Sequence, residues 1–332
     1  VNKKFMIDYA SKSILVLGGY GFIGSNIVRH FLRKGSHIVV VDNLESKAGG
    51  NLYNLETIKD RITIHRTSIL NFDSICDYVS GVDIVINCAA STSHSRSMNE
   101  PFFDLDVNLK GMLNILEAIK GFNPKARLIH FGTTTQFGRL KVLPANEDHP
   151  EFPRDIYSAN KCLSEKYALL YSRSFGIDAT VLRISNTYGP YASIHSPEFT
   201  FNNYFLGQAL QGKEINIYGD GSQVRNFLFI NDLLDAVEKC LENSDSIGKT
   251  LLVTSDKHYS ISDIASLIIS LCGTGSNSFV PWPTNKKDSE VGDQIFDNSQ
   301  AKNLLKWKPS TSLEDGLTKT IEFYIKFKTF YL

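Results

Sequence analysis

A glycine-rich stretch near the start of the chain, residues 18–24 (GGYGFIG), constrains the fold more than any other feature. It follows the apolar run 14–17 and opens a segment with amphipathic helical spacing, which predicts a strand, a glycine turn and a helix. In such a turn Gly18 allows the tight bend, Gly21 lets the backbone approach a pyrophosphate, and Gly24 lets helix and strand pack closely. Because the N–H groups at a helix N-terminus bind anions, the stretch predicts a phosphate-binding loop.

Asp42 makes a dinucleotide the expected ligand of this loop. A second apolar run, residues 38–41, ends in Asp42, which lies eighteen residues after Gly24. A carboxylate there can accept hydrogen bonds from both ribose hydroxyls of the adenosine half of NAD, and it would repel the 2′-phosphate of NADP. The alternative is a solvated aspartate in an ordinary strand-end turn. Because no Arg or Lys follows Asp42 directly, the sequence favours NAD over NADP.

The rest of the first half of the chain alternates between apolar strand-like runs and segments of helical spacing. The runs are residues 62–64, 84–86, 128–131 and 179–182. Strands that alternate with helices predict a parallel sheet covered on both faces. We therefore expect an α/β fold with a Rossmann-type doubly wound parallel sheet.

The composition argues against several classes of partner. The 332 residues carry 35 Lys and Arg against 35 Asp and Glu, so no net charge attracts nucleic acid or an anionic membrane. The five cysteines include no C-x-x-C pair, which fits reduced thiols better than disulfides or a zinc site, and we expect no metal. No run near the start is long and apolar enough for a signal peptide or a membrane span. We expect a cytoplasmic protein that binds neither nucleic acid nor a membrane.

Residues with useful chemistry follow the predicted strands, where open parallel sheets bind their ligands. The small residues Cys88, Ala89 and Ala90 follow the fourth strand, so a cofactor could lie close to the backbone there. Thr133 follows the fifth strand, and its hydroxyl could relay a proton. The sequence thus places a cofactor and a proton relay at one edge of the sheet.

Tyr157 and Lys161 are the expected base and its neighbour. They are four residues apart in a segment of helical spacing, so they share one helix face. A free tyrosine has a pKa of about 10. An ammonium beside the phenol, together with the positive nicotinamide of NAD+, would lower that pKa. The alternative for an isolated Y-x-x-x-K is a solvated surface pair; Thr133, 24 residues upstream at a strand end, favours the catalytic interpretation.

Together these motifs resemble the extended short-chain dehydrogenase/reductase family, and within it the NAD-dependent nucleotide-sugar epimerases and dehydratases. The resemblance covers nearly the whole chain, from the glycine loop to the Trp-Lys-Pro of residues 307–309. It implies an NAD-binding domain over residues 1–186, to which 227–256 return. It also implies a smaller C-terminal lobe, residues 187–226 and 257–332, which binds a nucleotide-diphosphate sugar.

The resemblance also implies roles for individual residues: Tyr157 as base, Lys161 as ribose anchor, Thr133 as proton shuttle. The implied cofactor contacts are Gly18, Gly21, Phe22, Ile23, Gly24, Asp42, Asn43, Ser68, Ile69, Cys88, Ala89, Ala90, Asn108, Tyr157, Lys161 and Ser185. The implied substrate contacts are Thr134, Asn186 and Arg225, the last two at the diphosphate. Ser68 stands where the family usually has an adenine-binding Asp. Lys286 and Lys287 are possible substitutes for a C-terminal arginine that grips the diphosphate, and His94 is either a sugar contact or an ordinary loop histidine.

The two residues after Thr133 bear on the reaction. Dehydratases of the family resemble one another in carrying Asp-Glu there, and decarboxylases carry a Glu at the second position, whereas this chain has Thr134 and Thr135. We therefore expect an NAD-dependent 4-epimerase that oxidises C4 transiently and returns the hydride to the opposite face. The alternative is an NAD(P)H-dependent reductase of 4-keto-deoxysugars; a 4,6-dehydratase, a decarboxylase and a non-catalytic NAD sensor are further alternatives. The resemblance also suggests a homodimer packed through the helices that contain Lys110 and Tyr157.

Overall fold

A computed structural model describes residues 7–283 and 290–332. Seven strands form a parallel sheet in the order β10-β6-β5-β4-β1-β2-β3. The strands in chain order are β1 (Ser13–Leu17), β2 (His37–Val41), β3 (Thr63–His65), β4 (Ile84–Asn87), β5 (Arg127–Thr133), β6 (Ala179–Ile184), β7 (Asn186–Tyr188), β8 (Glu214–Tyr218), β9 (Val224–Phe229), β10 (Thr250–Val253), β11 (His258–Ser260) and β12 (Ser276–Val280). From β1 the chain builds the sheet through β2 and β3 on one side and then crosses to β4 on the other. The predicted doubly wound α/β fold is confirmed, and its topological switch point, where such sheets bind ligands, lies between β1 and β4.

Helices cover both faces of this sheet. They are α1 (Phe22–Arg33), α2 (Tyr53–Glu56), α3 (Phe72–Ser80), α4 (His94–Asn99), α5 (Pro101–Leu105), α6 (Gly111–Phe122), α7 (Ile156–Phe175), α8 (Phe201–Leu210), α9 (Ile230–Leu241), α10 (Ile261–Cys272), α11 (Ser299–Leu305) and α12 (Leu313–Phe327). One apolar core packs α1 and α9 against the sheet, and the other packs α3, α6 and α7 against the opposite face. A π-helical turn, Asp106–Lys110, joins α5 to α6.

Two smaller sheets follow in the C-terminal half. One has the order β11-β9-β7, and the other pairs β12 with β8. Their helices α8, α10 and α12 share the apolar core of α1 and α9. Trp307 is buried there, and its indole N–H donates to the carbonyl of Asp232 at 3.0 Å. β10 lies in the large sheet, while the division into two domains stays a prediction.

No helix in the described ranges, residues 7–283 and 290–332, is long and apolar enough to cross a membrane.

Candidate active site

A long cavity opens at the carboxyl ends of β1, β2, β4, β5 and β6, and it collects most of the predicted site residues. Its wall includes Gly18, Gly21, Phe22, Ile23, Gly24, Asp42, Asn43, Ser68, Ile69, Cys88, Ala89, Ala90, Thr133, Thr134, Tyr157, Lys161, Ser185, Asn186 and Arg225. These residues come from the ends of different strands, which the parallel topology brings to one edge. Lys286 and Lys287 lie outside the described residues.

The glycines of the loop let its backbone pack closely against neighbouring backbone at the start of α1. Gly18 has a φ of +77°, and a Cβ there would lie 2.7 Å from the backbone N of Ala89. A Cβ on Gly24 would overlap the carbonyl oxygen of Gly18. α1 begins directly after Gly21, and because glycine has no side chain, no side-chain group caps the helix. The first N–H groups of α1 are therefore available to an anion, which fits the pyrophosphate of a dinucleotide.

Asp42 is held at the end of β2 by the loop it faces. Its carboxylate accepts hydrogen bonds from the backbone N–H of Tyr20 at 2.9 Å and of Leu44 at 2.8 Å. Burial raises the pKa of this carboxyl, and the two N–H groups oppose that rise. The carboxylate thus has a fixed position in the cavity wall, where it can accept further hydrogen bonds from ribose hydroxyls.

Asn108 differs from the other predicted cofactor contacts, because it does not line the cavity. It lies in the π-helical turn, where its amide N–H donates to the carbonyl of Ser91 at 2.9 Å and its carbonyl accepts from the N–H of Ser91 at 3.2 Å. Both amide groups are therefore engaged by the loop that follows β4. In this structure Asn108 fixes that loop from behind.

Tyr157, Thr133 and Lys161 meet in the cavity wall. Both Tyr157 and Thr133 line the cavity, and the Thr133 side chain lowers the pKa of the Tyr157 phenol. Burial raises the pKa of Tyr157, with smaller contributions from Asp155 and Asp104. The expected lowering of this pKa by Lys161 is therefore not found in the protein alone, because loss of water around a phenolate costs more than the interaction with the Thr133 side chain returns.

Lys161 is buried among groups that the sequence analysis did not identify. Its Nζ lies 3.3 Å from Nε2 of His130, and it is 4% exposed. Burial lowers the pKa of Lys161 to about 8. His130 in turn contacts Ser164 Oγ at 3.1 Å and Asn87 at 3.2 Å, and burial followed by the charge of Lys161 holds its pKa well below the usual value. A histidine inside the apolar run of β5 was the only sequence signal of this cluster.

Hydroxyl groups occupy the positions where dehydratases of the resembled family carry carboxylates. Thr134 is buried in the cavity wall. Thr135 Oγ1 lies 3.0 Å from Thr133 Oγ1 and accepts a hydrogen bond from Ser158 Oγ at 2.9 Å. This end of the cavity therefore presents a chain of weakly acidic hydroxyls.

His94 also lies in the cavity wall, beside Tyr157. Its Nδ1 is 2.7 Å from Oδ2 of Asp155, and its ring meets the Tyr157 ring edge-on at 4.8 Å between centroids. Asp155 is the N-cap of α7, where its other oxygen accepts from the N–H of Ser158 at 2.7 Å. Sequence reasoning missed Asp155, and an aspartate just before a helical segment would have shown only a cap.

The residues predicted to bind the diphosphate, Arg225 and Asn186, also line the cavity. Arg225 pairs with Glu290 at 2.7 Å, and it donates to the carbonyl of Gly292 at 2.7 Å. Asn186 donates to the carbonyl of Asn226 at 3.1 Å. Arg225 thus faces the cavity with one carboxylate partner already bound.

Comparisons with known proteins agree with this architecture. The chain is 32% identical over 317 residues to a dTDP-glucose 4,6-dehydratase of Mycolicibacterium smegmatis, which covers 94% of this chain and 92% of that protein. It is 31% identical over 329 residues to UDP-glucuronic acid decarboxylase 1 of Xenopus tropicalis, with 97% and 74% covered. The crystal structure of UDP-glucose 4-epimerase from Thermotoga maritima with UDP-glucose superposes with a TM-score of 0.87 at 29% identity, covering 95% of this chain and 99% of that one. The family model described as the NAD dependent epimerase/dehydratase family matches residues 14–261. This chain belongs to that family, as the resemblance of its motifs to nucleotide-sugar epimerases and dehydratases predicted.

Proposed function

We propose that this protein is an NAD-dependent nucleotide-sugar 4-epimerase, which oxidises C4 of the sugar and returns the hydride to the opposite face. One observation carries the proposal: among the described residues, the cavity wall around Tyr157, Thr133 and Lys161 carries hydroxyl groups and no carboxylate of its own. Within the described part of the chain, the acidic residues of the cavity wall are Asp42 and Glu45, which both follow β2. The hydroxyls of Thr134 and Thr135 are poor substitutes for the carboxylates that the resembled dehydratases and decarboxylases carry there. Oxidation and reduction at C4 therefore suit this site better than elimination.

NAD fits the glycine loop and Asp42, and when bound it would accept and return the hydride and place positive charge beside Tyr157. We assign the proton path to Thr133, which would receive the proton of the C4 hydroxyl and pass it to the Tyr157 phenolate. Lys161 would anchor the nicotinamide ribose from its buried position. Arg225 and Asn186 would hold the diphosphate, so that the sugar alone turns between the two hydride transfers.

A panel of nucleotide sugars identifies the nucleotide and the sugar that the protein accepts. The names of the relatives describe UDP- and dTDP-linked hexoses. We would incubate the purified protein with UDP-glucose, dTDP-glucose and UDP-glucuronic acid, identify the products by NMR, and identify any dinucleotide released on denaturation. Inversion at C4 with retained NAD supports the epimerase. Loss of water or CO₂, or stoichiometric consumption of NAD(P)H on a 4-ketosugar, would refute it.

A matched pair of tyrosine variants tests the assigned base in the same assay. Tyr157→Phe removes the hydroxyl in the cavity wall, and Tyr167→Phe removes one from the same helix α7, where Tyr167 is partly buried against the apolar core on that face of the sheet. We expect turnover to be lost in the first variant only. Equal turnover in both variants would remove Tyr157 from the mechanism.

We also propose the homodimer that the resemblance suggested, with α6 and α7 at its interface. Leu163 and Leu170 of α7 and Phe122 of α6 are large apolar side chains that are exposed in the single chain. Burial of such side chains between two copies would stabilise the pair. Analytical ultracentrifugation should give twice the chain mass, and a monomer at micromolar concentration would refute the dimer.

A further inference from the structure

His94 has no part in the chemistry assigned to C4, yet it lies where a reacting sugar would be bound. Its side chain is 44% exposed into the cavity, and its ring contacts the ring of Tyr157 at 4.8 Å between centroids. A sugar whose C4 hydroxyl reaches Tyr157 and Thr133 presents its neighbouring carbons to the groups around that tyrosine. His94 is therefore placed near the carbons next to C4.

Asp155 fixes the orientation and the tautomer of this histidine. The carboxylate accepts from Nδ1 of His94 at 2.7 Å and from the N–H of Ser158 at 2.7 Å, so both of its oxygens are held. Burial alone would raise the pKa of Asp155, but the hydrogen bonds from the His94 side chain and from Ser158 bring it below its usual value, which keeps the carboxyl ionised. An ionised carboxylate can only accept, so the proton of neutral His94 sits on Nδ1 and the lone pair on Nε2.

The free nitrogen of His94 is available for proton transfer. Nε2 makes no hydrogen bond to any part of the chain that the structure describes. A carboxylate that orients an imidazole, with the second ring nitrogen free in a cavity, is the arrangement of a general base. The pair joins α4 to the start of α7, the helix that carries Tyr157.

We propose that His94, oriented by Asp155, is a second general base, which removes a proton from the carbon next to C4 while C4 is a ketone; this deepens the proposed function and uses its site. In this step the C–H bond breaks and its proton moves to Nε2 of His94. The electron pair forms a C=C bond, and the ketone oxygen becomes an enolate oxygen within reach of the Tyr157 hydroxyl. Reprotonation reverses these changes, so no electrons leave the sugar and no further reactant is needed.

The same wall explains why the enolate would be reprotonated. Elimination of a neighbouring hydroxyl requires an acid to protonate the leaving group. Thr134 and Thr135 offer hydroxyls at the place where the resembled dehydratases carry carboxylates. The expected outcome is exchange of the hydrogen next to C4 with solvent, together with inversion at that carbon whenever the proton returns to the other face.

The test supplies the ketone directly, so that it does not depend on C4 oxidation. The NAD-containing protein is incubated in D₂O with UDP- or dTDP-linked 4-keto-6-deoxyglucose, and loss of the H3 and H5 signals is followed by ¹H NMR. We expect the wild type to exchange one of these hydrogens, and His94→Gln to slow the exchange by about a hundredfold, in line with the usual contribution of a general base. Glutamine can still hydrogen-bond to the sugar but cannot carry the proton. Titration with UDP and dTDP shows whether the variant still binds the nucleotide.

Two further variants distinguish the loss of a general base from unspecific damage to the folded protein. His37→Gln makes the same change in the exposed first residue of β2, at the opposite edge of the sheet, and should exchange as the wild type does. Asp155→Asn keeps an N-cap for α7, because asparagine caps as well as aspartate, but removes the charge that fixes His94. It should slow exchange at least tenfold and change the pH profile of exchange.

Several outcomes would overturn the proposal. These are no exchange by the wild type above the rate in buffer, equal exchange in His94→Gln and wild type, or equal exchange in Asp155→Asn and wild type. Failure of the epimerase proposal looks different, since it is measured as absence of C4 inversion with nucleotide glucose and leaves exchange of the supplied ketone unaffected.

Discussion

Replacement of Lys161 by methionine should stabilise the folded protein at neutral pH, although it removes a residue of the proposed site. The ammonium is buried, and burial lowers its pKa from the usual 10.5 to about 8. Below pH 8 the lysine is protonated in both the folded and the unfolded state, and the folded state bears the full cost of the buried charge. Methionine has a similar length and no charge, so it avoids that cost.

The size of the stabilisation follows from the shift in the pKa of Lys161. A difference of about 2.5 pH units at ~1.36 kcal/mol per unit is about 3 kcal/mol. Methionine also loses the contact with His130 at 3.3 Å, which is worth roughly 1 kcal/mol. We therefore expect Lys161→Met to raise the free energy of unfolding by about 2 kcal/mol below pH 8.

The advantage of the variant should shrink as the pH rises. Between pH 8 and 10.5 the folded wild type has released the lysine proton while the unfolded chain still holds it, so the wild type gains stability across this window. Titrating groups that do not sense the charge of Lys161 cancel in the difference, and His130, whose pKa burial holds well below its usual value, is neutral throughout this window.

Urea unfolding at about pH 7 and about pH 10 measures this difference. The protein must be freed of dinucleotide, because a ligand that binds only the folded state adds to its stability. The matched control is Lys166→Met on the same helix, where the lysine is 49% exposed and pairs with Glu151, and its effect should stay within about 1 kcal/mol. Equal stability of Lys161→Met and wild type at pH 7, or a difference that does not change with pH, would refute the account of a buried charged lysine.

Three further predictions concern binding and the glycine loop. Tyr157→Phe should retain NAD while losing turnover, which HPLC of the released dinucleotide and a product assay measure together; loss of NAD would show a structural role instead. Arg225→Ala should weaken nucleotide-sugar binding by roughly tenfold to a hundredfold in calorimetry, because charge-assisted hydrogen bonds contribute about 1.5–3 kcal/mol, and unchanged affinity would mean that Glu290 is its permanent partner. Gly24→Ala should abolish NAD retention and lower the free energy of unfolding by about 1–3 kcal/mol, because its Cβ overlaps the Gly18 carbonyl oxygen, and normal retention would contradict the close packing described.

The parts of the site that sequence could predict are those set by local pattern. The glycine loop between a strand and a helix, the aspartate at the end of β2, and the four-residue spacing of Tyr157 and Lys161 are each contained in one short segment. Their joint position follows from the parallel sheet, which brings strand ends together.

The parts that sequence could not predict arise from contacts between distant segments. His94 and Asp155 are 61 residues apart, Lys161 and His130 are 31 apart, and Arg225 and Glu290 are 65 apart. No local sequence pattern predicts such pairs, because they form only when tertiary packing brings the two segments together. The expected fall in the pKa of Tyr157 was wrong for a similar reason. The charge of Lys161 could be read from the sequence, but the burial that raises the pKa of Tyr157 could not.

In the proposed mechanism, hydride leaves C4 and returns to the same carbon within one turnover. UDP-glucose or dTDP-glucose that carries deuterium at C4 tests it most directly, with the product examined by NMR and mass spectrometry. We expect the 4-epimer with deuterium retained at C4 and no net formation of reduced dinucleotide. Deuterium lost from C4, or found instead at C6 of a dehydrated 4-ketosugar, would contradict it.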